Sequence, residues 1–243
     1  MDSAYEKEMK KHRDLAECRS NLYALLSSIY LQIPESKTLS LHWEPALKLL
    51  EFPQKEAEKF LQEIKEGLSL IKDNIFERKF RSEEHLSNLS RDWTRLFRGV
   101  NIRGPLPPYE SLYRTGKLQD KPAQEICRLF SKMGIRVPEE WHQPLDYIGV
   151  EFDFMHLLCT QERGNWEKNQ LGLVLEVVEI EKSFLDDHLS LWIPIFCEKM
   201  IEQAQEIFFK GIARLTKGFI NYDQIWTSYL FRLLQNKGRN GCF

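Results

Sequence analysis

Pro144-Leu145-Asp146-Tyr147-Ile148-Gly149-Val150-Glu151-Phe152-Asp153-Phe154-Met155-His156-Leu157 is the stretch on which the fold turns. Pro144 suits a first helical position, because the N–H it lacks would have no partner there. Beyond it Leu145, Ile148, Phe152 and Met155 line one helical face, and Val150, Phe154 and Leu157 line a second. A helix apolar on two sides is central, covered by neighbours on both. Working outward, those neighbours are readable. Leu22, Leu25, Leu26, Ile29 and Ile33 make a stripe that ends at Pro34, and Phe60, Ile64, Leu68 and Ile71 recur within a charged stretch over 54–78. Trp93, Leu96 and Phe97 share a face of a helix over 88–97. A helix is predicted from Pro122 to Met133, stopped by Gly134 and Pro138, and another over 169–186. Ile201, Ala204, Phe208, Ile212, Leu215 and Phe219 mark the last long helix, followed by a short amphipathic tail from Asp223 to Gln235. Alternation of period two is nowhere sustained, and no Asn-Gly or Asp-Gly hairpin joins β-branched runs. The expectation is an all-α, single-domain multi-helix bundle of roughly nine to eleven helices. It covers 1–243, with an N-terminal helical half over 1–97, a proline loop or hinge over 98–121 and a C-terminal helical half over 122–243.

With 42% hydrophobic and 29% charged residues, the 243-residue chain falls in the soluble globular class. A net charge of −2 supplies no basic field for nucleic acid or an anionic bilayer. No apolar run approaches the ~18 residues a membrane span needs. The N-terminal residues Met1 to Glu8 contain neither an apolar core segment nor twin arginines, so they do not read as a secretory signal. Cys18, Cys127, Cys159, Cys197 and Cys242 are odd in number and lack Cys-x-x-Cys or zinc spacing, which fits reduced thiols in the cytoplasm.

The least helical part reads Gly104-Pro105-Leu106-Pro107-Pro108-Tyr109-Glu110-Ser111-Leu112-Tyr113. Pro105, Pro107 and Pro108 fix φ and remove donors, so the chain there is stiff. Set beside the Trp93, Leu96 and Phe97 face, it suggests an open, preordered aromatic cradle for an apolar peptide, bound at low entropic cost. The plainer reading is a rigid crossover whose Pro107 or Pro108 starts a helix, with Glu110 in its first turn and Tyr109 and Tyr113 in the core. Asp146 reads as a first-turn carboxylate, and Tyr147 and Glu151, four apart, share a face. Glu139-x-x-His142 and Asp153-x-x-His156 imitate carboxylate-x-x-His metal spacing, but Pro138 and Pro144 bracket the first and no facing glutamate helices accompany them, so no metal is expected. Neither a nucleophile elbow nor a phosphate loop occurs. His156, between Met155 and Leu157, reads as an interior histidine. An enzyme, or a nucleotide- or pterin-binding protein, built on Tyr147, Glu151 and His156 is the alternative; no catalytic residue is assigned. Glu176, Glu179, Glu181, Asp186 and Asp187 read as a solvated helix face or a rim for a basic peptide.

Four landmarks recur in a familiar order. They are Arg19-Ser20-Asn21-Leu22-Tyr23-Ala24-Leu25-Leu26, the Trp93–Phe97 helix with its Pro105–Tyr113 loop, Pro144–Met155, and His188-Leu189-Ser190-Leu191-Trp192-Ile193-Pro194-Ile195-Phe196 leading to Phe208-Phe209. In these the chain resembles the TorD/DmsD-type redox enzyme maturation chaperones, with the NarJ type more distant. Where that family often has Asp-His, this chain has Asp146-Tyr147. The resemblance implies a cytoplasmic, system-specific chaperone, not an enzyme, without a cofactor of its own. Its partners would be the apo catalytic subunit of a molybdopterin oxidoreductase and that subunit's twin-arginine leader, held for cofactor insertion before export. Transient contact with the molybdenum cofactor or a guanine nucleotide, and a monomer or a domain-exchanged dimer, are also compatible with it. On that reading Trp93, Leu96, Phe97, Pro105, Tyr109 and Tyr113 supply an apolar wall, and Glu110, Asp146 and Glu151 accept arginine forks. Pro107, Pro108, Ser111, Pro144 and Tyr147 complete the expected peptide-binding set.

Overall fold

The computed structural model describes residues 3–33, 35, 43–52, 54–76, 82–99, 106–137, 141 and 143–239. Among them the chain is all-α: α1 (Ser3–Leu31), α2 (Glu44–Leu49), α3 (Glu58–Phe76), α4 (Glu83–Phe97), α5 (Glu110–Thr115), α6 (Lys121–Lys132), α7 (Ile148–Glu167), α8 (Leu171–Phe184), α9 (Ser190–Gln203) and α10 (Ile207–Arg239). A short 3₁₀ turn (Lys55–Ala57) precedes α3, and a π turn (Leu185–Leu189) joins α8 to α9. Among the described residues, no helix is long and apolar enough to cross a membrane.

The two-sided helix is central, as its pattern requires. In α7, Phe152, Met155, Leu158 and Cys159 are fully buried, with α1 along one side and α8 along another. The contact between α1 and α7 is close because Gly149 has no side chain: a Cβ there would fall 2.5 Å from Leu31 Cγ. Ser27 Oγ donates to the Gly149 carbonyl at 2.9 Å in the same place. On the far side of the core α3 lies on α10 with the backbones nearly touching. A Cβ on Gly67 would fall 2.6 Å from the Leu215 nitrogen, and one on Gly211 would fall 2.9 Å from the Gly67 carbonyl.

Helix ends follow local chemistry where the sequence carries it. Gly134 adopts φ +69°, Gly134 N–H donates to the Ser131 carbonyl and Ile135 N–H to that of Phe130, so α6 stops in a Schellman turn. Elsewhere the structure corrects the pattern. The helix expected from Pro144 starts at Ile148 instead, because Tyr147 is extended and pairs with Tyr109 in an isolated antiparallel bridge. Asp146 is therefore not a first-turn residue. Nor do Pro107 and Pro108 start a helix; α5 begins at Glu110, after an extended Tyr109. The last long helix and the expected separate tail are one helix, α10, while residues 201–203 belong to α9.

That break between α9 and α10 is held by the segment around Trp93. Asp92 Oδ2 accepts from the backbone N–H groups of Gln205 and Glu206, each at 2.9 Å, placing a carboxylate at the start of α10. Arg95 bonds Asp92 and the Gln203 carbonyl, and Trp93 Nε1 donates to the Ile29 carbonyl at 2.9 Å. Trp93, Leu96 and Phe97 are each 1% exposed, and Phe97 meets Tyr30, Phe196 and Phe209. The expected open wall of rings is core in this structure, because these side chains have nearer apolar neighbours on α1, α9 and α10 than any external peptide.

Candidate binding site

The two segments singled out in the sequence, 35 residues apart, lie against each other. Glu110 N–H donates to the Asp146 carbonyl at 2.9 Å and Ile148 N–H to the Pro108 carbonyl at 3.0 Å, on either side of the Tyr109–Tyr147 bridge. Asp146 Oδ2 then accepts Ser111 N–H at 2.8 Å. A proline-stiffened strand end, having few donors to spend, thus pairs with the extended entry to α7, and the pairing delivers three acids to one place.

Those acids, Glu110, Asp146 and Glu151, are all 0% exposed. Glu110 is held by Arg114, one turn along α5, and by His188 Nδ1 from the π turn at 2.9 Å. Glu151 Oε2 accepts from Trp192 Nε1 at 3.2 Å. Burial, and then the charges of Glu110 and Asp146, push Glu151 well above the ordinary carboxylate range. Burial also raises Asp146, against the pull of its bonds to Ser111. Glu151 and Glu110 lie close enough for the charge of one to disfavour that of the other. Sequence reasoning named the three acids but not Arg114, His188 and Trp192, which reach them from one turn away and from across the fold.

Over this acid floor sits a partly open rim. Leu106 is 44% exposed, and Pro107, Tyr109, Tyr113, Pro144 and Leu145 are half-buried. The Tyr109 and Tyr147 rings meet edge to face at 5.1 Å, and Tyr113 lies against Trp192 and Phe196. Pro108, Ser111 and Tyr147 are buried beneath, Tyr147 donating to the Tyr30 carbonyl at 2.6 Å. Pro105 lies outside the described residues. Crevices flank α6 on two sides. One of about 490 Å³ runs along Ala123, Cys127, Gln143, Pro144 and Leu145, and one of about 450 Å³ runs along Leu129, Lys132, Glu179, Phe184, Asp187 and His188.

The alternative constellation does not assemble. Tyr147 engages Tyr30 and Glu151 engages Trp192, whereas His156 Nδ1 lies 2.8 Å from Ser20 Oγ and 3.0 Å from the Ser20 carbonyl on α1. His156 is half-buried, with its Nδ1 satisfied by Ser20. Of the two metal-like spacings, Glu139 and His142 lie outside the described residues, and Asp153 is exposed while His156 faces α1.

A second buried charge cluster was missed. Arg19, 0% exposed, bonds Asp223 at 2.5 Å, Glu162 at 2.6 Å and Glu181 at 2.6 Å, tying α1 to α10, α7 and α8. Tyr23 donates to Asp223, Thr227 accepts from Arg19, and Trp166 Nε1 donates to Glu162. Burial pushes Glu181 up to about 8. Glu181 thus leaves the solvated acidic face to which its sequence neighbours Glu176 and Glu179 belong. Cys159, Glu162 and Glu181 place ligand atoms within 4.8 Å of one another, and both carboxylates already hold Arg19.

Comparison with known proteins places this architecture. Residues 54–198 match the nitrate reductase delta subunit family. A chaperone protein TorD of Vibrio cholerae serotype O1 is 26% identical over 220 residues, covering 89% of this chain and 94% of that protein. A chaperone protein TorD of Photobacterium profundum is 30% identical over 163 residues, covering 66% of this chain and 73% of its own. Among solved structures, a protein of Archaeoglobus fulgidus described as a redox enzyme maturation protein superposes with a TM-score of 0.47 at 19% identity, over 83% of this chain and 93% of that one. The family match spans more than half of the chain, and the relatives' names are those of chaperones rather than enzymes: the chain belongs to the nitrate reductase delta subunit family, the NarJ/TorD family of chaperones.

Proposed function

We propose that this protein is a cytoplasmic chaperone dedicated to one redox system. It binds the twin-arginine leader, the body, or both, of the apo catalytic subunit of a molybdopterin oxidoreductase, and holds it for cofactor insertion before export. The observation that supports the reading is the paired Pro107–Tyr113 and Pro144–Glu151 segments: a half-exposed rim of Leu106, Tyr109, Tyr113 and Leu145 above buried Glu110, Asp146 and Glu151. Such a rim offers apolar contact to the middle of a leader, and the acids offer acceptors for its arginines. Trp93, Leu96 and Phe97 act from behind, as the packed base that fixes the rim. A bridge between two extended segments is also a preordered one, so little entropy is lost when a peptide arrives.

Capture from native lysate, followed by identification of the bound polypeptide, names the client. Calorimetric titration with that client's leader then tests the rim. Tyr109→Ala is expected to weaken binding about tenfold, the scale of losing a buried aromatic contact, while the thermal midpoint stays near that of the wild type. Unchanged affinity removes the rim from the site.

A further inference from the structure

One helix of the bundle is held by apolar contact alone. In α6, Ala123, Ile126 and Phe130 are buried on one face, while Lys121, Arg128 and Lys132 are exposed beside a single acid, Glu125. It is a basic amphipathic helix. The Phe130 ring lies 5.0 Å from that of Phe154 on α7, and Phe184 of α8 follows 4.7 Å further on. The backbone of α6 comes close to α5 and hardly at all to α7 or α8. Ser131 Oγ bonds within the helix, to the Cys127 carbonyl at 2.9 Å, and among the described residues no side chain of α6 bonds another element. By contrast α1 and α4 are tied across the fold through Arg19, Tyr23, Asp92 and Trp93. Gly116 and Gly134 bound α6 at φ +73° and +69°, and a Cβ on either would meet nothing within 4 Å. A crevice runs under each long edge, one between Cys127 and Leu145, the other between Leu129 and Phe184. Exposed Glu179 and Asp187 edge the second, beside Lys132.

We propose that α6 is a hinged lid filling, in cis, a groove for a basic amphipathic segment of a bound polypeptide, and that this segment displaces it. The floor so uncovered is Leu145, Phe154, Ile180 and Phe184, with Glu179 and Asp187 along one edge. The chain supplies its own example of the occupant: an apolar stripe carrying lysine and arginine, laid on an acid-edged floor. Apolar contact is non-directional, so one such stripe replaces another. A helix pinned by oriented bonds, as α1 is by Arg19, has no such freedom. Leu145 belongs to both the rim and the groove, so a segment engaged at Tyr109 continues under the lid. Closure weakens binding by the fraction of molecules in which the lid is shut, which keeps the groove for a segment that fits it well. That the segment is a client's leader rests on the reading above; the groove itself does not.

Native-state hydrogen exchange tests the lid without any ligand. In the wild type the amides of Ile126 to Lys132 are expected to exchange as one group, about 100-fold faster than those inside α1 and α7. Exchange of α6 only together with α1 and α7 overturns the lid. The groove is tested with two synthetic peptides, one of residues 121–133 and one of adjacent arginines followed by an apolar segment. Phe130→Asp, which detaches the lid, is expected to bind the 121–133 peptide about tenfold more tightly than the wild type, having little closed state to overcome. Should Phe130→Asp not fold, Phe130→Ala loosens the same contact and is expected to shift affinity the same way. Equal affinity in variant and wild type, or binding by neither, overturns the groove. At saturation with the arginine peptide, α6 of the wild type is expected to exchange faster still while α1 and α7 stay protected. Tight binding with α6 as protected as before overturns displacement and leaves the leader reading standing. If the 121–133 peptide binds the variant while the arginine peptide binds no form, the groove stands and the leader reading falls.

Discussion

At the scale of single residues the molecule is governed by acids that water does not reach. Glu181 is the clearest. Its folded-state pKa is raised by burial from an ordinary 4.5 to about 8, with Arg19 pulling the other way. Between those values the folded chain holds a proton that the unfolded chain has lost. Stability therefore falls as pH rises, by up to about 1.4 kcal/mol per pH unit for one proton. Glu151, raised well above the carboxylate range, acts with the same sign. His12 opposes them. Burial between Trp166 and Trp226 lowers it to about 4, so below pH 6.5 its contribution falls as pH falls. The clean window is thus pH 6.5 to 8. Chemical denaturation across it is expected to show stability declining with pH in the wild type and declining less steeply in Glu181→Gln. An identical slope in the two proteins contradicts a protonated Glu181. The groups facing it, Arg19 on α1, Glu162 and Cys159 on α7 and Asp223 on α10, are unchanged by that substitution.

At the scale of elements, much was legible and the misses have one cause. The stripes of α1, α3, α7 and α10 and the stop at Gly134 come from local spacing, which a sequence states directly. The bridge between Tyr109 and Tyr147 and the bonds of Arg19 to residues 143 to 208 positions away are non-local, and periodicity does not encode them. One signal was present all the same. Arg19, Glu162, Glu181 and Asp223 each sit on the apolar stripe of their helix, among Leu15 and Tyr23, Leu158 and Trp166, Val177 and Phe184, Phe219 and Trp226. One basic and three acidic residues on buried stripes of four helices predict that those helices meet. The segment around Trp93 was misread for a related reason: rings beside a stiff loop look the same in sequence whether they face a ligand or a neighbouring helix. Its structural role is checkable. Asp92→Ala removes the carboxylate that receives two N–H groups at the start of α10. The expected cost is about 1–2 kcal/mol, read as a fall of a few degrees in the thermal midpoint. Asp92→Asn, which keeps the acceptor, is expected to lose less. A midpoint unmoved by either change removes Asp92 as a cap.

At the scale of the whole molecule, the two helical halves do not stand side by side; they interleave. α1 finds its main neighbour in α7, and α3 finds its own in α10, so each half lines the core of the other. The 106–243 piece alone exposes the faces of α7 and α10 that Leu31 and Gly67 now cover. It also keeps Glu162, Glu181 and Asp223 gathered without the guanidinium that holds them, and breaking such a buried ion group by removing one partner costs about 3–5 kcal/mol. We expect neither 1–99 nor 106–243, produced separately, to unfold cooperatively, and their mixture to recover helicity and a single transition by circular dichroism. An independent transition in 106–243 means two domains rather than one. The sharper form of the experiment supplies the 1–99 piece as Arg19→Met. Apolar contact alone then brings α1 back to α7, but the three acids stay unmatched unless they take up protons. Recovery is expected to fail at pH 8 and to return in part near pH 5, whereas the unaltered piece, bringing its own cation, restores the fold at both.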